Sequence, residues 1–245
     1  MKKLDGVLPC NPLLYGSLFS GIGGIDLGFD RAGLKCAWQV EIDPFARKVL
    51  TKHWPEVPKH DDIRTFQPSA VDVIAGGFPC QGISQAGAKR GLADERSGLW
   101  SEFLRVIREV GPRFVVVENS SEITHRGLGT ILGDLAEIGF DAEWSEFSPC
   151  IIGAPHTRKR VFIVAYGHSD RRLRSRIPQE RRSRVFGVAG SDRSQRREAL
   201  PKSEHWQAEP SVLRVVDGIP DRVDRIRTIG NAVVPQVAEW IGRRL

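Results

Sequence analysis

Cys80 in "AGGFPCQGIS" is held between a proline and a glutamine, directly after the apolar run "VDVIA". In an α/β sheet, chemistry is placed in the loops beyond the carboxyl ends of strands. Here Gly76 and Gly77 permit a sharp turn, and Pro79 stiffens the backbone just before the thiol. A thiolate nucleophile needs activating partners. "VVVENSSE" offers Glu118 and Asn119 at the end of another apolar run, on the same edge of such a sheet. A Glu buried there has a raised pKa and can protonate or hydrogen-bond a substrate ring nitrogen. "HTRKRVFIVA" adds Arg158 and Arg160, alternate residues that share a face if a strand begins at that point. Singly, a cysteine is most often a small buried hydrophobe and an arginine a surface charge. Together, thiol, carboxyl and guanidinium groups converge on one pocket.

A second constellation lies upstream. In "SLFSGIGGIDLGF", Gly21, Gly23 and Gly24 form a tight strand-to-helix turn where backbone amides at a helix N-terminus can face a nucleotide-like ligand. The spacing does not complete GxGxxG, because Asp26 stands three places after Gly23. Glu41 closes "CAWQVE" about twenty residues on, where a carboxylate commonly accepts from ribose hydroxyls. Asp62, in "HDDIR", can accept from an exocyclic amine of adenine, with Ile63 beside the ring. As an ordered set these residues point to an adenosine-containing cofactor without a pyrophosphate site.

The elements that must position these groups read as α/β. Candidate strands are Leu13 to Phe19, Cys36 to Glu41, Val71 to Ala75, Phe114 to Glu118, Ala142 to Phe147 and Arg160 to Ala165. Helical patterns lie between them. Asp43 caps one, Pro44 suits its first turn and Pro55 stops it; another runs from Leu99 to Val110, and "GTILGDLAEIG" supplies a third. Val- and Ile-rich runs separated by such helices predict a mostly parallel sheet buried on both sides. Pro235 begins a terminal helix with Val237, Trp240 and Ile241 on one face.

The chain has 245 residues, enough for one sizeable domain and a small appendage. Its hydrophobic fraction of 40% excludes a disordered chain. The four cysteines form no CxxC pair and no zinc-finger pattern, so neither a metal nor a disulfide framework is expected. No apolar stretch is long enough to span a membrane and no apolar segment follows the N-terminal lysines, so the expected location is the cytoplasm. The net charge of +6 is local: His168 to Trp206 carries 11 Lys and Arg against 5 Asp and Glu, which leaves 25 of each sign elsewhere. That texture divides the chain into a catalytic and cofactor-binding domain over 11–167, an Arg-rich insert over 168–211, and a segment over 212–245 that completes the domain.

With these motifs in order, the chain resembles the DNA cytosine-5 methyltransferases of bacterial or phage type. Phe19 to Gly24 is similar to their first S-adenosylmethionine motif, and Glu41 and Asp62 to the next two. "GGFPCQ" resembles the nucleophile motif, "ERSGLW" the following loop, "ENS" the Glu-Asn motif, "HTRKR" the paired arginines and "GNAVVP" the last cofactor motif. The resemblance implies a Rossmann-like S-adenosylmethionine-dependent methyltransferase sheet with helices on both faces, plus a small target-recognition insert. It implies that Cys80 attacks C6 of a flipped-out cytosine, Glu118 serves N3, Asn119 orients that carboxyl, and Arg160 with Arg158 binds the O2 side. Phe19, Ser20, Gly21, Gly23, Gly24, Glu41 and Ile42 would contact S-adenosyl-L-methionine, with Asp62 and Ile63 at its base. Gly77, Pro79, Leu99, Asn231 and Val233 would complete that pocket. Gln81, Ser84, Lys89 and Arg90, on a glycine-containing loop, and Arg171, Arg172 and Arg174 in the insert would contact double-stranded DNA. A monomer, without metal, is implied, and a cognate restriction endonuclease is a natural partner.

Two departures leave the catalytic groups in place: His156 stands where Gln is usual, and Ser120 where Val is usual. The insert is short for this family, and phosphate neutralisation is the first expectation for its arginines. Three rivals bear weighing. An amino-methyltransferase would want an Asn/Asp-Pro-Pro-aromatic motif where Phe78-Pro79-Cys80-Gln81 stands. A tRNA cytosine-5 methyltransferase shares the Cys80 chemistry, but the expected Cys-Phe-Thr motif is absent. A catalytically silent DNA-binding relative would have no need of Cys80, Glu118 and Arg160 together.

Overall fold

The structure, a computed structural model, describes residues 11–79, 98–148, 158–167 and 232–245. Among these residues seven strands, β1 (Leu14–Leu18), β2 (Lys35–Val40), β3 (Lys59–His60), β4 (Val73–Gly76), β5 (Phe114–Ser120), β6 (Phe140–Phe147) and β7 (Arg160–Gly167), form one sheet in the order β3-β2-β1-β4-β5-β7-β6. The first five positions are parallel neighbours. β7 pairs antiparallel with both β5 and β6, so it alone runs against the rest. The mostly parallel Rossmann-like sheet expected from the sequence is therefore present.

Burial follows sequence pattern. β4 is buried along its length, and β5 and β7 nearly so, as unbroken Val/Ile runs require. β6, on an edge, is largely exposed between its buried ends Phe140 and Phe147. All six strands expected from sequence occur, with ends displaced by a residue or two. β3 is additional, two residues pairing with Gln39 and Val40 of β2.

Helices α1 (Gly24–Arg31), α2 (Pro44–His53), α3 (Gly98–Val110), α4 (Ile123–Arg126), α5 (Leu128–Glu137) and α6 (Pro235–Gly242) cover the sheet. α3 buries Trp100, Phe103, Leu104 and Ile107, the i, i+3, i+4, i+7 stripe of an amphipathic helix. With Leu128, Ile131 and Leu135 of α5 it packs on one sheet face, against Ile74, Val115, Val117, Val161 and Ile163. The other face, with Val73, Val116, Phe162 and Val164, is closed by Ile25 and Phe29 of α1 and Val237 and Ile241 of α6. Trp240, expected on the same stripe, lies at the rim, its ring 5.6 Å from that of Phe147 and 3.8 Å below the Arg244 guanidinium.

α2 starts as its sequence demands. Asp43 Oδ1 accepts from the amides of Phe45 (2.8 Å) and Ala46 (3.2 Å), with Pro44 in the first turn. α1 is fixed differently, by a buried polar knot. Asp26 accepts from Ser17 Oγ (3.1 Å) and Gln39 Nε2 (2.8 Å), joining α1 to β1 and β2, and burial pushes its carboxyl up to about 6.

Candidate active site

From β1 the chain first builds β2 and β3 on one side, then crosses to β4 and β5 on the other. Such a reversal opens a crevice beyond the carboxyl ends of the strands on either side of it. The crevice is present. Its floor is the glycine turn after β1, its near walls are Glu41, Ile42 and Asp43 after β2, and its far wall is Gly77, Pro79 and Glu118 after β4 and at the end of β5.

The turn itself is strained and braced. Phe19 holds φ 52, a left-handed conformation that costs a bulky residue about 1–2 kcal/mol and that recurs at functional sites. Its ring stacks on Phe103 of α3 at 6.3 Å. Gly23, with φ 86, accepts the Trp54 ring so closely that a Cβ would lie 2.5 Å from it. Glu41 locks the turn to α2: Oε2 accepts from Gly21 N–H at 2.7 Å and Oε1 from Asp43 N–H at 2.8 Å. Each oxygen retains a second lone pair for a ligand hydroxyl. Ile42, 66% exposed, offers an apolar surface at the mouth.

The C-terminal segment closes the crevice from above. Ala232 and Val233 line it, and a Cβ on Gly24 would lie 2.4 Å from the Val233 carbonyl oxygen, so glycine is needed for that approach. Arg158 Nη1 donates to Ala232 O at 2.9 Å, tying the start of β7 to this wall.

Glu118 is the chemical centre of the far wall. It is 8% exposed, and burial raises its carboxyl to about 7 against the opposing pull of Arg160 and Arg158. Arg160 Nε lies 2.9 Å from Oε1, an ion pair that draws the carboxyl pKa down against its burial. The reversed strand explains the encounter. Because β7 begins at the edge where β5 ends, Ser120 faces Arg160 and Glu118 faces Phe162, which makes Glu118 and Arg160 diagonal neighbours on one face. A parallel β7 would have sent the arginines to the opposite edge. Gly77 supplies the clearance, since its Cβ would stand 2.5 Å from Glu118 Oε2.

Asn119 is placed otherwise than expected. Successive strand residues point to opposite faces, and the Asn119 amide donates to Phe78 O (3.0 Å) and accepts from Ser120 N–H (2.8 Å). No bond from it to the Glu118 carboxyl occurs among the described residues. It holds the backbone one residue before Pro79, while Phe78 itself is wedged against Trp100 and Phe103 at 5.3 and 6.4 Å.

Of the residues expected at a cofactor, Phe19, Ser20, Gly21, Gly24, Glu41, Ile42, Gly77, Pro79 and Val233 line the crevice. Gly23, Asp62, Ile63 and Leu99 lie outside that lining. Ala46 and Asp43 line it without having been expected there; the cap signal at Asp43, two residues after Glu41, marked the place. Cys80, Gln81, Ser84, Lys89, Arg90, Arg171, Arg172, Arg174 and Asn231 lie outside the described residues, as does the whole 168–211 segment expected to form an insert. Among the described residues no cluster of His, Cys, Asp or Glu is arranged to hold a metal, and no helix is long and apolar enough to cross a membrane.

The sequence model of the C-5 cytosine-specific DNA methylases matches residues 14–210. The chain belongs to that family. Within it, the type II methyltransferase M.Eco47II of Escherichia coli is 39% identical over 158 residues, covering 60% of this chain and 38% of the relative. M1.ScrFI of Lactococcus lactis subsp. cremoris is 37% identical over 157 residues, covering 61% and 40%. This C-5 methylase chain thus spans about two fifths of the length of these curated relatives. Among solved structures, a DNA modification methyltransferase encoded within an E. coli prophage superposes with a TM-score of 0.57 at 28% identity, over 71% of this chain and 50% of that one. A DNMT2 variant of Spodoptera frugiperda, at 22% identity and a TM-score of 0.54 over 63% and 50%, shares the fold.

Proposed function

We propose that this chain methylates C5 of a flipped-out cytosine in double-stranded DNA, using S-adenosyl-L-methionine. The observation that carries the reading is Glu118: a buried carboxyl poised at about 7, beside Arg160, in the wall of the same crevice as the glycine turn. That pairing suits a substrate ring needing a proton at one atom and positive charge at the next.

The crevice fits the cofactor by its chemistry. The glycine turn presents backbone, Glu41 keeps lone pairs for ribose hydroxyls, and Phe19, Ile42 and Val233 give apolar walls. Asp62 and Ile63, in the turn after β3 and beyond the crevice lining, would meet the base if it extends past that lining. When bound, the cofactor supplies an electrophilic methyl group.

Carbon 5 of cytosine is a poor nucleophile until its ring is made electron-rich. The Cys80 thiolate would add at C6, forming a C–S bond whose displaced ring electrons load C5. Glu118 would place its proton on N3 as that charge develops, and Arg160 would stabilise negative charge at O2. After methylation, loss of the C5 proton expels the thiolate and returns the N3 proton to Glu118. Arg158, bonded to Ala232, would act by bracing the crevice and by its charge on Glu118.

A stacked base cannot present its face to a thiol, so the cytosine must leave the duplex. Gln81, Ser84, Lys89 and Arg90 would follow the DNA beside Cys80, and Arg171, Arg172 and Arg174 would neutralise phosphates. The enzyme would work as a monomer, in the cytoplasm, beside a cognate restriction endonuclease. Transfer of labelled methyl from S-adenosylmethionine to duplex DNA, with tRNA as competitor, tests this. Label on cytosine C5 of DNA is expected; label on tRNA alone, or on an exocyclic amine, would overturn it.

A further inference from the structure

Arg105 belongs to none of the sequence motifs, yet its side chain joins helix α3 to the turn after β3. On its own helix, α3, Nε donates to Glu102 Oε2 at 2.7 Å and Nη1 to both carboxylate oxygens of Glu109 at 2.9 Å. Its other edge leaves the helix. Nη2 donates to Ile63 O at 2.7 Å, and the guanidinium reaches Phe66 O at 3.3 and 3.4 Å.

The first half of the turn it reaches is fixed by local side-chain bonds, Asp61 Oδ1 accepting from Asp62 N–H and Asp62 Oδ1 from Arg64 N–H, both at 2.9 Å, but the Ile63 and Phe66 carbonyls are not. β3, just before it, is two residues long, and the turn's own amide bonds, Thr65 to Asp62 O and Phe66 to Ile63 O, are both 3.3 Å. The side chains of Ile63 and Phe66 are buried, which anchors the turn but does not orient its carbonyls. The charged bonds from Arg105 do, and bonds to a charged donor are the stronger kind. The turn sits where orientation matters: Glu41 N–H donates to His60 O at 2.9 Å, so it leaves the sheet beside the crevice wall, on the same edge.

We propose that Arg105 is a positioning residue that sets how the protein recognises the adenine of its cofactor, by fixing the Asp62–Phe66 turn. The proposal rests on the S-adenosylmethionine reading above. Asp62 is already half-organised, its Oδ1 accepting from Arg64 N–H at 2.9 Å, while its part-exposed Oδ2 has only the Arg64 guanidinium at 3.8 Å, too long for a hydrogen bond, and can accept from an amine. Arg105 holds the next residue's carbonyl, so the carboxylate and the Ile63 backbone present one fixed edge. Only a planar fork of donors can serve Glu102, Glu109, Ile63 and Phe66 together; a lysine cannot.

The test is calorimetric binding of S-adenosylhomocysteine and S-inosylhomocysteine, whose hypoxanthine lacks the exocyclic amine, to the wild-type chain and to Arg105→Met, Arg105→Lys and Asp62→Ala. The wild type is expected to prefer the adenosyl compound. Arg105→Met should lose about tenfold of its affinity for that compound while changing the inosyl affinity by no more than about twofold. Arg105→Lys should behave alike, and it carries the test if the methionine variant fails to fold. In the Asp62→Ala background the Arg105 substitution should cost nothing further. Equal losses for both compounds, or undiminished discrimination, would overturn the proposal while leaving the cofactor reading intact. A wild-type chain that binds neither compound would remove both.

Discussion

Arg160 Nε stands 2.9 Å from Glu118 Oε1, across two antiparallel strands of an otherwise parallel sheet. The carboxyl is buried deeply enough to be held at about 7 even beside that cation, because desolvation of the carboxylate outweighs the attraction. A group so balanced can carry a proton at neutral pH and release it without a large penalty.

Catalysis that needs protonated Glu118 should fall as pH rises through about 7. Arg160 and Arg158 both lower the Glu118 pKa, so Arg158→Met should move the falling limb to higher pH. The pH profile of kcat reads this directly.

The same carboxyl makes stability depend on pH. Its folded value is raised from 4.5, so its contribution is fully present below 4.5 and is lost as pH rises through about 7. Asp26 acts alike from 3.8 to about 6. Glu118→Gln removes the first dependence. Thermal melts should therefore show the variant more stable than wild type at pH 8, with the gap closing below pH 5, a window of about that width following from linkage.

Gly77→Ala puts a Cβ 2.5 Å from Glu118 Oε2 and must displace the carboxyl. If Glu118 protonates the base as proposed, its displacement is expected to lower kcat by about a hundredfold. S-adenosylhomocysteine affinity, measured by calorimetry, should fall much less.

Asn119→Leu releases the Phe78 carbonyl and leaves the Glu118 face untouched. The expected result is slower reaction of the neighbouring thiol with an unchanged pH limb. A shift of that limb would instead place Asn119 on the carboxyl.

Asp43→Ala removes the cap of α2 and should cost about 1 kcal/mol in denaturant-measured stability. Asp43→Asn should restore most of it.

Much of this arrangement was legible in the sequence. The Val- and Ile-rich runs marked the strands, and the Asp43-Pro44 pair marked the start of α2, because burial and capping are local in origin. β3 was not legible, since two residues carry no period and exist as a strand only through pairing with Gln39 and Val40. The direction of β7 was equally hidden: "RVFIVA" signals burial on both faces, a property of a central strand whichever way it runs. The face of Asn119 followed from alternation beside Glu118, a simple rule that the expected carboxyl contact did not obey. Arg105 gave no signal, because a helix arginine flanked by glutamates reads as an ordinary surface ion pair until the turn 42 residues away is seen against it.

The central claim is that a thiolate at position 80 attacks the base, and a duplex carrying 5-fluorocytosine at the target measures it most directly. Fluorine at C5 cannot leave as a proton does, so the cysteine cannot be expelled after methyl transfer. With S-adenosylmethionine present, the wild-type chain should form a denaturation-resistant complex with this DNA, and Cys80→Ala should form none and methylate nothing. Methyl transfer to unmodified DNA by Cys80→Ala would contradict the account.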